Sequence, residues 1–136
     1  MPAPPMQPDQ HTNPYKGRTG LDRIWRATGY SWQGLLSAYR TESAFRQEAW
    51  LFVAALPLAF WIARDWHDVL LLAGSVWLVL IVELLNSAVE AAVDRISLEP
   101  SELAGRAKDY GSAAVLLSLI MTAAVWLSII WQRFFT

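Results

Sequence analysis

The sequence predicts an all-α membrane protein: three transmembrane helices preceded by one amphipathic surface helix. Three observations carry that expectation. First, 54% of the 136 residues are hydrophobic and only 17% charged, with eight tryptophans among them. Soluble globular domains usually hold ~45–50% apolar residues, so this chain has too little charge to cover a small sphere. Second, three long uncharged runs follow one another. Third, the basic residues are shared very unequally among the segments between those runs.

The same counts exclude several function classes. A chain of this length allows one domain. The net charge of −1 gives no reason to expect a polyanion partner such as nucleic acid. The absence of cysteine removes disulfide scaffolds, thiolate metal sites and thiol catalysis. The only two histidines, His11 and His67, are far apart in the sequence, so a multi-histidine metal site is not expected.

Residues 1–20 carry Pro2, Pro4, Pro5, Pro8 and Pro14 among polar neighbours. Such a segment buries too little apolar surface to offset its ordering entropy, and it is expected to be a disordered tail. Residues 21–136 form the membrane domain. Within it, residues 21–40 place Leu21, Ile24, Trp25, Thr28, Trp32, Leu35, Leu36 and Tyr39 at helical spacing. An aromatic-rich apolar stripe with basic flanks suits a helix lying along the membrane surface, or one packed on the protein's own helices.

Ala49–Ala63 is uncharged for 15 residues, Val69–Val82 for 14 and Tyr110–Gln132 for 23. A hydrocarbon core of ~30 Å needs ~20 helical residues. Only the third run spans it unaided. The first is long enough when Phe45 to Glu48 lies in the interface, and the second when its helix tolerates Glu83. Spans are therefore expected over about 43–63, 67–96 and 101–133. The alternative, a soluble helical core, would leave three apolar helices with almost no polar surface to cover them.

Orientation follows from charge. Lys16, Arg18, Arg23, Arg26, Arg40 and Arg46 precede the first span, and Arg95, Arg106 and Lys108 lie between the second and third. Arg64 and Arg133 are the only basic residues on the other side. The N-terminus and the second loop are then cytoplasmic and the C-terminus is outside.

The polar residues within the apolar stretches are the informative ones. Glu83, Asn86, Glu90 and Asp94 fall within about 80° of one another at ~100° per residue, so they share one helix face. For a helix starting near Val69, Glu83 lies ~21 Å along it, inside the cytoplasmic boundary. A carboxylate in hydrocarbon costs at least ~2.5–3.5 kcal/mol. Such a stripe is either an interhelical contact that joins an oligomer or a reaction site. In the second case a desolvated Glu83 suits a general base, and Glu90, nearer water, suits a divalent cation.

Other polar groups sit at the same level. Glu42, Arg46 and Glu48 precede the first span, and the i, i+4 spacing of Glu42 and Arg46 also fits a plain surface salt bridge. Pro100 and Ser101 suit a helix start, with Glu102 in its first turn. Arg106, Lys108, Asp109 and Ser112 open the third span, while Gly105, Gly111, Ala113 and Ala114 permit close helix approach. Carboxylates for a metal, cations for phosphates and a buried base together suggest phosphoryl transfer at the interface. The nucleotide motifs G-x-x-x-x-G-K-[ST] and the protein-kinase set are absent: Gly29 and Gly34 have the glycine spacing, but Leu35 stands where lysine is required.

Four stretches carry a resemblance: Gly29-Tyr-Ser-Trp-Gln-Gly34, Glu42-Ser-Ala-Phe-Arg-Gln-Glu48, Ile81-Val-Glu-Leu-Leu-Asn-Ser-Ala-Val-Glu90 with Asp94-Arg95, and Gly105-Arg-Ala-Lys-Asp-Tyr-Gly-Ser-Ala-Ala114. Together they resemble the prokaryotic diacylglycerol kinase family over roughly residues 20–134. The resemblance implies a homotrimer in the bacterial inner membrane, its C-terminus periplasmic. It implies transfer of the ATP γ-phosphate to diacylglycerol, giving phosphatidate, with Mg²⁺ required. By position, Glu83 would be the base on the lipid hydroxyl, and Glu42 and Glu90 the metal holders. Arg23, Tyr30, Lys108, Asp109 and Glu99 would join them at the nucleotide. Ser31, Trp32, Ala44, Arg46, Gln47, Glu48 and Ser112 would line the lipid site, with Asn86 and Asp94 in support.

The sequence departs from the family in its proline-rich tail, at Leu36 where the best-known members carry a basic residue, at Pro100-Ser101, and in the loop from Arg64 to Asp68. Two other readings are a polyprenol kinase acting on undecaprenol, and a non-catalytic helical pore or assembly protein.

Overall fold

A computed structural model describes residues 19–96 and 98–136. The tail expected over residues 1–20 falls outside the described residues except for Thr19 and Gly20. Four α-helices follow in order: α1 Gly20–Thr41, α2 Ser43–Ile62, α3 Trp66–Ile96 and α4 Glu102–Phe135. The secondary structure is the expected one, with boundaries moved by one or two residues. The chain divides into two units between Leu35 and Leu36, inside α1.

In the first unit, α1 runs through Gly29 and Gly34 without a break. Its polar side chains are engaged locally. Asp22 and Arg26 pair at 3.4 Å one turn apart. The hydroxyls of Thr28 and Ser31 donate to the carbonyls of Ile24 and Ala27 at 2.8 and 2.9 Å.

In the second unit, α1 ends and α2 begins at Glu42, which is extended with φ −104° and ψ 107° and has no side-chain capping bond. Arg46 turns back to donate to the carbonyls of Tyr39 (2.9 Å) and Arg40 (3.4 Å). These are orphan acceptors of the last turn of α1, which basic side chains commonly satisfy. The i, i+4 spacing of Glu42 and Arg46 therefore produces no salt bridge. Trp50 adds an Nε1–H bond to the Tyr39 hydroxyl at 2.9 Å.

At the far end of α2 the chain turns into α3 through a polar clamp. The Arg64 backbone N–H and its Nε and Nη2 donate to the Asp68 carboxylate at 3.1, 2.8 and 3.3 Å. Those bonds push the Arg64 guanidinium above its ordinary range, since they favour its charged form. The Asp68 N–H in turn donates to Asp65 Oδ1 at 3.0 Å, closing the first turn of α3. Ser101 caps α4 as its position after Pro100 suggests, its Oγ accepting from the Ala104 N–H at 3.0 Å.

The apolar core lies toward this clamp. Ala59, Ile62, Leu72 and Ile129 are buried against one another, with Val125, Trp126 and Ile130 packed on them. Two bonds cross from α4 to the α3 backbone: Trp126 Nε1 to the Leu72 carbonyl and Thr122 Oγ1 to the Ser75 carbonyl, both 3.1 Å. Around that core the surface is unlike that of a protein folded in water. Asp68, Ser75, Glu83 and Ser118 are buried, whereas Leu70, Trp77, Leu85, Leu117 and Leu127 are exposed. Such a surface is stable against hydrocarbon or a partner, not against water.

Two helices, α3 with 31 residues and α4 with 34, are long and apolar enough to cross a membrane. At 1.5 Å per residue they reach ~46 and ~51 Å, well beyond a ~30 Å hydrocarbon core. α2 has 20 residues, carries Arg46 and Glu48 in its first turns and contains Pro57, which cannot donate to the Val53 carbonyl.

Candidate active site

The site is built where the start of α2 meets the second half of α3 and the start of α4. Helical periodicity puts Glu83, Asn86, Glu90 and Asp94 on one face of α3, as the spacing requires. Glu83 is 7% exposed, the most deeply buried acid of this stripe. Its carboxylate lies within electrostatic reach of Glu90 on its own helix and of Glu42 at the head of α2. Glu48, two turns into α2, also interacts with Glu83 through space. Four carboxylates from two helices therefore surround one region.

Among the described residues, the nearby cations are bonded elsewhere. Arg46 is committed to the α1 carbonyls. Lys108 is bonded to Asp94 at 2.8 Å. Glu48 Oε2 and Asn86 Oδ1 are buried acceptors with no hydrogen-bond partner. A buried acceptor left unmade costs about 1–3 kcal/mol, more when charged, so this arrangement is completed by something that brings donors or positive charge. A hard divalent cation suits the donor set, which is carboxylate and carboxamide oxygen. Among the described residues no three Asp, Glu or His side chains are gathered closely enough to enclose a metal. Mg²⁺ does not need such a cage, because it typically takes one or two carboxylates and completes its shell with water and phosphate oxygens. The residues fit it on those terms.

α4 closes the region by close approach. A Cβ at Gly111 would fall on the Asn86 carboxamide, whose Cγ lies 3.2 Å from that position. Gly111 is thus required by the packing of α3 on α4, and it presses against the same side chain whose oxygen is unpartnered. The expectation of close approach holds at Gly111, while Gly105 meets nothing within 4 Å in its own chain.

Of the residues singled out in the sequence, Glu42, Glu48, Glu83, Asn86, Glu90, Asp94 and Lys108 come together in this one region. Ala44 and Gln47 lie in the first turns of α2, and Asp109 and Ser112 follow Lys108 on α4, all without a recorded bond to the cluster. Glu99 lies in the α3–α4 connection. Arg23, Tyr30, Ser31 and Trp32 belong to the first unit, on α1.

Sequence reasoning assigned Glu48 to the lipid and catalytic site with Glu83, and the two carboxylates lie within electrostatic reach of each other. The signal was present: Glu48 is the last charge before the uncharged run, which fixes its depth near that of a carboxylate at the other run's end. The Asp94–Lys108 ion pair was missed. Asp94 lies two residues before the end of α3 and Lys108 six residues after the start of α4, so the pairing depends on how the connection sets the two helices against each other, which no count along the chain gives.

Residues 29–130 match the model of the prokaryotic diacylglycerol kinases. A diacylglycerol kinase of Escherichia coli (strain K12) is 51% identical over 116 residues, covering 85% of this chain and 95% of that protein. A diacylglycerol kinase of Pseudomonas aeruginosa is 48% identical over 118 residues, covering 87% and 96%. One from Helicobacter pylori (strain 26695) is 41% identical over 107 residues, covering 79% and 84%. With most of both chains aligned at this identity, and with the acidic stripe, the Gly111 contact and the Lys108 segment inside the matched region, the chain belongs to the prokaryotic diacylglycerol kinase family.

Proposed function

We propose that this protein is an integral membrane lipid kinase that transfers the γ-phosphate of ATP to the free hydroxyl of diacylglycerol, giving phosphatidate and ADP. The observation that carries the reading is Glu83: a buried carboxylate on an apolar helix, ringed by acids and facing unsatisfied acceptors rather than a cation. The relatives named diacylglycerol kinase support the substrate.

Glu83 takes the proton of the lipid hydroxyl as its oxygen attacks the γ-phosphorus. The new bond joins lipid oxygen to phosphorus, the bond to the β–γ bridging oxygen breaks, and that oxygen leaves with ADP. Glu42 and Glu90 would hold Mg²⁺, which would supply neutralisation of phosphate charge. Lys108 offers its ammonium to phosphate oxygens. By resemblance to the family, Arg23, Tyr30, Asp109 and Glu99 are assigned to the nucleotide, and Ser31, Trp32, Ala44, Arg46, Gln47, Glu48 and Ser112 to the lipid. Asn86 supports the site from α3.

The proposed architecture has three spans, with α2 as the first and α1 on the membrane surface. The N-terminus is cytoplasmic in the inner membrane, the C-terminus periplasmic, and three copies form a homotrimer whose contacts cover the exposed apolar faces of α2 to α4. The test is transfer of labelled γ-phosphate by the purified protein with Mg²⁺ and diacylglycerol, with undecaprenol as the comparison acceptor. Labelled phosphatidate is expected. Labelling of undecaprenol alone would move the substrate to a polyprenol, and no lipid-dependent ATP consumption would return the protein to a non-catalytic class.

A further inference from the structure

We propose that Asp94 is a positioning residue: it holds the Lys108 ammonium away from Glu90, keeping the lysine ready for phosphate and Glu90 free for a cation. The inference rests on the kinase reading above and adds a residue for which that reading has no specific task. Lys108 Nζ lies 2.8 Å from Asp94 Oδ1, joining the end of α3 to the start of α4. Glu90 stands one turn before Asp94 on the same face and attracts the same ammonium, more weakly. Lys108 therefore sits between two carboxylates, and Asp94 wins it.

The consequences of losing that contest are chemical. An ammonium drawn onto Glu90 would neutralise a carboxylate the metal needs and would turn away from the phosphates. Held by Asp94 through one N–H, it keeps two further donors free. Stability is a poor explanation for the pair, because both side chains are about half exposed, at 44% and 50%, and exposed ion pairs contribute little to folding. Asp94 is not itself placed to touch reacting atoms, and it acts through Lys108.

The experiment uses the full chain reconstituted with diacylglycerol. For Asp94→Asn, the KM for Mg-ATP should rise roughly five- to tenfold, with kcat and the lipid KM within about twofold of wild type. Equilibrium binding of a non-hydrolysable ATP analogue should weaken by the same factor, and its Mg²⁺ requirement should rise. Asp94→Glu should restore binding. The decisive variant is Asp94→Asn with Lys108→Met. Removing the lysine that has been released onto Glu90 should return the Mg²⁺ requirement toward the wild-type value, and nucleotide binding should be no weaker than in Lys108→Met alone. Wild-type transfer with unchanged nucleotide binding in Asp94→Asn would overturn the inference, as would independent, multiplying losses in the double variant. Failure of the wild-type protein to bind nucleotide would sink the kinase reading instead, so the two failures are distinguishable.

Discussion

At the scale of single residues, the proposed chemistry rests on carboxylates that a folded protein has no structural reason to gather. Glu83→Gln keeps size and hydrogen-bonding capacity but cannot take up the lipid proton. Turnover should fall by ~10²–10⁴-fold, the usual worth of a general base, while nucleotide binding stays nearly intact. Activity within a few-fold of wild type would assign Glu83 to packing. Glu42→Gln and Glu90→Gln should each weaken binding of Mg-nucleotide, because a hard cation prefers carboxylate to amide oxygen. Their combined loss should be less than the product of the single losses if one metal–nucleotide unit depends on both. Multiplicative losses in equilibrium binding would place them at separate sites. Glu83, Glu90 and Asp94 were legible in the sequence because a polar stripe in an apolar run is visible by periodicity alone. Glu48 was legible only as a carboxylate at similar depth, since which faces of α2 and α3 meet depends on how two helices pack, and no spacing rule encodes that.

At the scale of elements, one glycine sets how closely α4 lies against α3. Gly111→Ala drives a methyl into Asn86 and should destabilise the protein by about 1–3 kcal/mol, the cost typical of overpacking. Gly105→Ala meets open space and should be neutral or slightly stabilising through helix propensity. Thermal unfolding of the two variants in the same detergent checks the contrast, and equal effects would show that Asn86 moves aside freely. The helices themselves were readable, since α1, α2, α3 and α4 begin and end within a residue or two of the expected points. Ser101 behind Pro100 and the apolar runs dictate those boundaries locally. The Glu42–Arg46 salt bridge suggested by i, i+4 spacing failed for a local reason too: Glu42 is extended at the head of α2, so the helical geometry assumed for the pair does not exist there.

At the scale of the molecule, the exposed apolar faces of α2 to α4 set up the question of shared catalysis. If nucleotide residues of one subunit serve Glu83 of its neighbour, mixing inactive Glu83→Gln and inactive Lys108→Ala subunits should restore part of the activity. Dissociation in denaturing detergent, reassociation and assay test this. A dead mixture of folded, mixed trimers would mean that each subunit builds its own site. Deleting residues 2–14 should leave transfer intact, because that segment carries none of the clustered groups, and loss of activity on deletion would reveal a docking role for it. Helix count and apolar surface can be read from one chain. The number of copies cannot, because interfaces between hydrocarbon-facing helices use the same residue types as contact with lipid.

The clamp at the α2–α3 turn bears on how the protein reaches the membrane at all. In the three-span topology this turn is carried through the bilayer during biogenesis, and Arg64 and Asp68 travel with it. Each alone is a charge that hydrocarbon resists strongly. Bonded three times over, twice through the guanidinium and once through the backbone N–H, Arg64 and Asp68 cross as a pair that carries no net charge of its own. Asp68→Asn would leave Arg64 without its bonded counter-charge, with only the through-space attraction of Asp65. The yield of correctly threaded protein should fall, while the specific activity of the molecules that do arrive stays that of wild type.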